Sequence, residues 1–358
     1  MAARIARCFM LLPLVTMLAG CDWVVLRPAG DIALQQRDLI VVSTILMLLI
    51  VLPVMALTGI FAWRYRQSNR EATYDPEWHH STQLELVIWS APLLIIIALG
   101  AVTWIATHTL DPYRKLSRLD AARPLPAEVR PLKVQVVALD WKWLFIYPDY
   151  GIASVNEMAA PVDVPIAFQI TASSVMNSFF VPALAGQIYA MPGMETQLHA
   201  VINKAGDYEG FSANYSGHGF SHMRFRFAGM DGAAFDAWVA KVRASEGTLS
   251  REEYLRLEQP SERQPVRHYG ASTAGLFDAI VNLCVDPTKM CMRDMMAIDA
   301  RGGLGKAGIY NVAHLAYDRS RSRLDRSQDE AYVLSLCSIA PETMASPAPD
   351  APQYGSVR

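Results

Sequence analysis

Residues that bind soft metals occur at two places in the sequence. One stretch contains His218, His222 and Met223, and the other contains Cys284 and Cys291 within a methionine-rich segment. Imidazole, thiolate and thioether groups are ligands that suit copper. We favour roles without metal for both stretches. Histidines in a loop are most often solvated, and the cysteines can belong to a flexible or disulfide-linked extension.

Cys21 points to a different chemistry. Arg4 and Arg7 precede a short apolar run, residues 9–18, and the sequence Leu-Ala-Gly-Cys follows. A basic start, a short apolar core and small residues before a cleavage point are typical of a secretory signal. The ending resembles a bacterial lipoprotein processing site, so Cys21 is predicted to carry acyl chains. The alternative is an ordinary signal with a chance cysteine.

Two long apolar runs follow, residues 39–63 and 86–107, and neither contains a charged residue. A helix of about 20 such residues crosses a hydrocarbon core of about 30 Å. The connector between the runs carries Arg64, Arg66 and Arg70, which favours the cytoplasmic side. Cys21 and everything after residue 107 are therefore predicted to lie outside, in agreement with the signal.

Glu85 borders the second apolar run at its cytoplasmic end. Ionisable residues beside membrane spans often mark ion paths. A carboxylate is also stabilised there by the positive end of the helix dipole. On these residues alone we favour the electrostatic interpretation.

The exported part begins with the pattern of short strands. Residues 132–138 and 224–228 alternate apolar and polar side chains, and residues 165–172 and 196–202 are short and rich in strand-forming types. Turn sequences such as Pro-Asp-Tyr-Gly and Pro-Gly separate them. Short strands between regular turns predict an antiparallel sandwich or barrel.

Beyond residue 229 the pattern becomes helical. Residues 233–244 place Phe235, Trp238 and Val239 near one helix face. A second helix is predicted over residues 250–257, which open with the capping sequence Ser-x-x-Glu. The tail from residue 341 is rich in Pro, Ala and Ser and is predicted to be disordered.

Composition excludes several classes of function. The formal net charge is -2 at pH 7, so nothing predicts a surface that binds nucleic acid. The sequence has no nucleophile–base pair, phosphate-binding loop or zinc motif. Of its five cysteines, Cys8 would leave with the signal, and Cys284, Cys291 and Cys337 remain besides Cys21. The sequence does not decide whether any of these three form a disulfide.

Several segments together resemble subunit II of the haem–copper respiratory oxidases. They are WKWLFIYP at residues 141–148, SVMNSFFVP at 174–182, QIYAMPGMETQL at 187–198, FSANYSGHGFSHM at 211–223, and DPEWHHSTQLELVIW before and within the second apolar run. The resemblance extends from the lipidation site to about residue 280. It implies two membrane helices and an exported cupredoxin-like domain.

The resemblance also distinguishes two branches of this family. The branch that oxidises cytochrome c has a binuclear copper centre, with two bridging thiolates, two imidazoles, a thioether and a glutamate in fixed order. The corresponding positions here are Asn177, Ser212, Asn214, Ser216, Phe220 and Met223. Only the methionine matches, and a serine hydroxyl is a poor replacement for thiolate. This loss resembles the ubiquinol-oxidising branch, of the cytochrome o type.

Membership of that branch implies a place in a larger complex. The expected partners are subunit I, the other small oxidase subunits and membrane lipid. Haems and copper are expected in subunit I and no cofactor in this chain, while ubiquinol is the substrate of the complex. Glu85 resembles a glutamate associated with a proton channel of subunit I, so we give proton entry equal weight with helix electrostatics. Trp141 and Trp143 are predicted to be packing residues, with an electron-path role as the alternative.

We therefore predict two N-terminal transmembrane α-helices plus a periplasmic β-sandwich, cupredoxin-like but without copper, with a C-terminal helical extension. The chain is predicted to be a structural subunit of a terminal ubiquinol oxidase in the bacterial inner membrane, reducing oxygen to water with proton translocation. The predicted segments are a signal (1–20), a periplasmic segment (21–38), helix 1 (39–63), a cytoplasmic loop (64–84), helix 2 (85–107), a linker (108–130), the cupredoxin-like domain (131–229), an aromatic-rich helical extension (230–290) and a variable, partly disordered tail (291–358). The alternatives are a copper-binding electron-entry subunit of a cytochrome c oxidase and a free-standing periplasmic lipoprotein for binding or assembly.

Overall fold

The computed structural model describes residues 23–73, 75–126 and 128–300. The predicted signal, the lipidation site at Cys21, Cys337 and the tail from residue 301 lie outside the described residues. Residues up to Val281 form one compact unit, and a second unit begins at Asn282.

Two long helices open the first unit: α1, Asp31–Arg64, and α2, Thr82–Thr109. Both are long and apolar enough to cross a membrane, and none of their most apolar stretch is buried within the chain. Each contains a proline, Pro53 in α1 and Pro92 in α2. α1 begins eight residues before the apolar run at residue 39, so its first two turns extend beyond the apolar part.

The predicted β-sandwich follows and is confirmed. Its strands are β1 Leu132–Leu139, β2 Lys142–Tyr147, β3 Ile152–Val155, β4 Glu157–Pro161, β5 Pro165–Ala172, β6 Asn177–Phe180, β7 Ile188–Ala190, β8 Thr196–Val201, β9 Gly206–Ser212 and β10 Arg224–Met230. One sheet has the order β3-β2-β1-β5-β8 and the other β4-β10-β9-β6-β7. β1 runs parallel to β5, and β4 runs parallel to β10. The other neighbours in the two sheets are antiparallel.

Aromatic rings fill the space between the sheets. The rings of Trp143 and Phe145 from β2 pack against Phe179 of β6 and Phe225 of β10, with centroids 4.9–6.5 Å apart. All four side chains are buried. Each packed aromatic pair contributes about 0.5–1.5 kcal/mol of stability beyond the burial of its surface. This cluster therefore helps to hold the two sheets together.

An extension completes the first unit. It contains α3 Gly232–Arg243, β11 Thr248–Leu249, α4 Arg251–Glu258, β12 Arg267–Tyr269, β13 Ala271–Ser272 and α5 Leu276–Val281. Asp231 caps α3 and Ser250 caps α4, each accepting the N–H of the third residue onward. The extension is therefore not only helical. β12 pairs antiparallel with β3 and adds a sixth strand to the first sheet.

The described part of the second unit contains α6, Met292–Asp299, and a disulfide between Cys284 and Cys291. The sequence left the pairing of these cysteines open, and the disulfide-linked alternative is the one found. Since both sulfurs are in the disulfide, neither is a thiolate available to copper.

Candidate functional site at the degenerate copper position

Three segments bring the predicted copper positions together. Asn177 begins β6, Ser212 ends β9, and the two strands pair antiparallel. The loop after β9 turns back through a 3-10 turn, Phe220–His222, and leads to Met223 just before β10. The residues at one end of the second sheet therefore meet because adjacent strands begin and end there.

Asn177 and Ser212 are buried, with 1% and 3% of their surface exposed. Ser212 Oγ lies 3.1 Å from both Asn177 Oδ1 and the carbonyl oxygen of Asn214, and it accepts the N–H of Ser178 at 3.3 Å. The Asn177 amide also donates to the carbonyl of Val175 at 3.1 Å. Buried polar groups are stable when they are paired in this way. The hydrogen bonds of these two side chains are therefore satisfied within the protein.

Ser216 and Met223 form the second contact of the site. Met223 is fully buried, and its Sδ lies 3.9 Å from the hydroxyl of Ser216. The carbonyl oxygen of Ser216 accepts a hydrogen bond from Trp141 Nε1 at 2.9 Å. Asn214 and Phe220 have other contacts: the Asn214 amide donates to backbone carbonyls, and the Phe220 ring packs edge-on against Tyr215.

This set of donor groups does not fit a binuclear copper centre. Such a centre requires bridging thiolates, whereas the polar or sulfur-containing groups at this position are two amides, two hydroxyls and a thioether. A hydroxyl stays protonated near neutral pH. The Ser212 hydroxyl already accepts the N–H of Ser178 and donates its proton toward Asn177 Oδ1 and the carbonyl oxygen of Asn214.

The two histidines of the loop face the extension. The His218 imidazole pairs with the carboxylate of Glu262, and His222 Nε2 lies 3.0 Å from the guanidinium of Arg263. The His218 side chain is 88% exposed, while Met223 is fully buried. The alternative copper site of His218, His222 and Met223 is therefore not assembled.

The two predicted aromatic positions have different surroundings. Trp143 is fully buried in the ring cluster, and its Nε1 has no hydrogen-bond partner among the described residues. Trp141 is half-buried and covers the loop. A Cβ at Gly219 would lie 2.6 Å from its ring, and one at Gly217 would lie 3.1 Å from it. The loop needs glycine at residue 219 because the indole approaches its backbone so closely.

Glu85 lies in the first turn of α2. Its Oε1 is 2.7 Å from His80 Nδ1, and the other ring nitrogen of His80 is 3.2 Å from Thr82 Oγ1. Both partners are exposed. Sequence reasoning missed His80, and the only signal was the His-His pair just before the predicted helix.

Sequence reasoning also missed a buried carboxylate that joins the extension to the sandwich. Glu157 on β4 accepts hydrogen bonds from Trp238 Nε1 at 2.9 Å and His268 Nε2 at 3.0 Å, and Arg226 lies 3.4 Å away. Burial alone would raise the pKa of Glu157. The hydrogen bonds from Trp238 and His268 and the nearby positive charges outweigh burial, so the pKa is lowered. Glu157 is therefore ionised at neutral pH.

Two known protein families match parts of this chain. The family described as "Cytochrome C oxidase subunit II, periplasmic domain" matches residues 149–228, and the "COX Aromatic Rich Motif" matches residues 243–288. The chain is 48% identical to a cytochrome bo(3) ubiquinol oxidase subunit 2 of Pseudomonas putida, over 78% of this chain and 87% of that protein.

Two further matches extend the comparison. A ubiquinol oxidase subunit 2 of Acetobacter aceti is 49% identical, over 74% of this chain and 84% of that protein. A solved structure, the periplasmic domain of subunit II of cytochrome oxidase from Bradyrhizobium japonicum, covers 31% of this chain and 91% of that chain at 26% identity, with a TM-score of 0.30.

Proposed function

The chain belongs to the family of ubiquinol oxidase subunit 2 proteins, and from this premise we propose that it is the subunit II of its complex that carries no redox centre. One observation supports the absence of a redox centre from this chain. The positions of the bridging thiolates are Ser212 and Ser216, and their hydroxyls are engaged with Asn177 and Met223 inside the domain. A site closed in this way has no role in passing electrons through copper.

The substrate is consistent with that arrangement. Ubiquinol is dissolved in the membrane, so its electrons can enter the complex within the bilayer and need no relay that faces a soluble cytochrome. In this proposal haems and copper belong to subunit I. The complex oxidises ubiquinol, reduces oxygen to water and translocates protons. In this proposal the chain is a structural subunit: its surface contacts subunit I.

The proposed location follows from the two helices and the exported domain. α1 and α2 cross the bacterial inner membrane and contact subunit I, and the sandwich lies on the periplasmic side. The exposed apolar surface of both helices supports this role, because it needs lipid or another helix to cover it. Acyl chains on Cys21 would hold the N-terminus at the same face.

We further propose that Glu85 collects protons at the cytoplasmic face for subunit I. The support is its contact with His80, because an imidazole nitrogen can donate a proton to a carboxylate 2.7 Å away. Glu85→Gln should lower the oxygen-consumption rate of the complex several-fold. Glu77→Gln, which removes an exposed carboxylate from the same connector, is the matched control and should not change the rate. Equal rates in both variants would exclude the role.

Metal content tests the main proposal. The full chain should be purified in detergent after growth with copper, and its copper and near-infrared spectrum measured. We expect no stoichiometric copper in the natural sequence. A variant with the whole ligand set, N177H/S212C/N214E/S216C/F220H, should gain copper and a mixed-valence band. Stoichiometric copper in the natural sequence would instead support an electron-entry subunit of a cytochrome c oxidase.

Purification of the native complex tests the other alternative. A subunit of the oxidase should remain bound to a haem-containing partner when the complex is extracted in mild detergent. If the chain is recovered without haem while the oxidase is intact, it is a free-standing lipoprotein.

A further inference from the structure

A cavity of about 270 Å³ lies where the membrane helices meet the sandwich. Its wall is built from five parts of the chain: the first turns of α1, the end of α2, the segment that follows α2, the loop before β7, and β8. The polar members used below are Gln35, Gln36, Arg114, Lys115 and His199.

The depth of this cavity follows from helix geometry. The apolar run of α1 starts at residue 39. At about 1.5 Å per residue, Gln36 lies about 4.5 Å and Asp31 about 12 Å beyond the edge of the hydrocarbon. Thr109 lies about 3 Å beyond the end of the apolar run of α2 by the same measure. The headgroup layer is about 5–7 Å thick on each side of the bilayer. The lower part of the cavity is therefore at headgroup depth.

The cavity has an excess of available positive charge. Asp31 is buried and neutralised by the guanidinium of Arg118, at 2.9 and 3.1 Å. Arg114 and Lys115 are exposed, and neither forms an ion pair in the part of the chain that the structure describes. The Arg114 side chain reaches only the carbonyl oxygen of His108, at 3.3 Å. The exposed carboxylate of Asp111 also lines the cavity. Arg114, Lys115 and Arg118 therefore face two carboxylates, Asp31 and Asp111, which leaves one positive charge in excess.

The neighbouring polar groups suit an anion as well. His199 is half-buried, and burial together with the positive charge of Lys115 lowers its pKa, so it is neutral at pH 7. Its ring and the amide of Gln36 can donate hydrogen bonds, and so can the second N–H of the Gln35 amide, which already donates to Asp31 Oδ2 at 2.7 Å. Guanidinium and ammonium groups with nearby neutral donors match the geometry and charge of phosphate.

An apolar groove adjoins the cavity along the chain. It runs along α2 from Ile96 to His108 with a volume of about 490 Å³, and Thr109 of the cavity wall is the next residue. Trp104 and Ile105 in this region are exposed. A phosphate site at headgroup depth thus follows, along α2, a groove that can hold an acyl chain.

We propose that this cavity binds the phosphate group of an anionic phospholipid from the periplasmic leaflet, with an acyl chain along α2. The proposal rests on the membrane topology proposed above and is independent of the metal content of the domain. Each basic residue near an anionic lipid surface contributes about a fivefold gain in affinity. Loss of both Arg114 and Lys115 should therefore weaken binding about 25-fold.

The test uses the complete oxidase complex, purified in mild detergent with R114Q/K115Q in this chain. Phosphatidylglycerol bound per complex is measured by native mass spectrometry after stepwise addition of the lipid. R130Q/K133Q is the matched control, because it removes one exposed arginine and one exposed lysine away from the cavity. R114K/K115R changes the same two residues but keeps both charges, so it shows whether a complex altered at these positions still assembles.

We expect bound lipid in the natural complex, in R130Q/K133Q and in R114K/K115R, and its loss in R114Q/K115Q. Equal lipid binding by R114Q/K115Q and R130Q/K133Q would overturn the proposal. A parallel titration with inorganic phosphate separates the two sources of the anion. Complete displacement of the lipid by millimolar phosphate, or phosphate binding without lipid, would overturn the assignment to a lipid.

Discussion

Raising the pH should stabilise the exported domain through one buried lysine, Lys142. This side chain begins β2 and is 1% exposed. Its Nζ donates to the carbonyl oxygens of Asp140 at 2.9 Å and Gln259 at 2.8 Å, and to Ser261 Oγ at 2.7 Å. Burial lowers the pKa of Lys142 to about 8, although the carboxylates of Asp140 and Glu258 oppose that shift.

The sign of the pH effect follows from proton linkage. In the unfolded chain a lysine has a pKa of 10.5, so between pH 8 and pH 10.5 the unfolded state holds more protons than the folded state. The free energy of unfolding therefore rises with pH in this window. A difference of about 2.5 pKa units corresponds to about 3 kcal/mol in total. The contribution becomes constant about one pH unit below the folded-state pKa, where both states are protonated.

The measurement compares the natural chain with Lys142→Met, which has a similar volume and cannot titrate. Both are unfolded with denaturant in detergent between pH 7 and pH 10.5, and tryptophan fluorescence is followed. The free energy of unfolding of the natural chain, minus that of the variant, should increase by about 3 kcal/mol across the range. The other titrating groups are the same in both proteins, so their contributions cancel in this difference. Two parallel curves would refute the linkage, and a difference that falls with pH would show that the pKa is raised.

Three other substitutions test separate contacts. Glu157→Ala should reduce the free energy of unfolding by about 3–5 kcal/mol at pH 7, because its tryptophan and histidine donors lose their acceptor. Since the pKa of this carboxyl is lowered, the part of the effect that depends on its charge is complete above its ordinary value of 4.5 and should decrease as the pH falls through the lowered pKa. Gly219→Ala should lower the melting temperature of the domain and shift the fluorescence of Trp141, with overpacking of about 1–3 kcal/mol; Gly232→Ala, where no atom lies within 4 Å of the new Cβ, is the control. Cys284→Ser removes the disulfide and should lower the free energy of local unfolding in its unit by about 2–3 kcal/mol, as expected for a short loop closed by a disulfide. Amide hydrogen exchange measures this free energy, and unchanged exchange rates would contradict the prediction.

Local patterns in the sequence were sufficient for much of the fold. The strand predicted over residues 165–172 is β5 without any difference in its ends. The helix predicted over residues 233–244 is α3 within one residue at each end, and its predicted face, Phe235, Trp238 and Val239, is buried. Alternating or helically spaced apolar residues appear in a sequence when an element buries one face, and both β5 and α3 do so.

Elements without a single buried face were harder to predict. β2 is buried along its whole length, so its apolar residues form a continuous run without the alternation that marks a half-buried strand. β12 has three residues, Arg267, His268 and Tyr269, and forms a strand because β3 offers an edge for pairing. The contact of Glu157 with His268 spans 111 residues. No local pattern encodes such a contact.

The predicted copper positions show how hydrogen bonds alone can hold the ends of two strands and a loop together. The hydroxyl of Ser212 connects the end of β9 to Asn177 of β6. The indole N–H of Trp141 also donates a hydrogen bond to the carbonyl oxygen of Ser216 in the loop. Each neutral hydrogen bond contributes only about 0.5–1.5 kcal/mol, so several are needed to hold the loop. This explains why the polar side chains of Asn177 and Ser212 are buried and hydrogen-bonded although neither has redox chemistry.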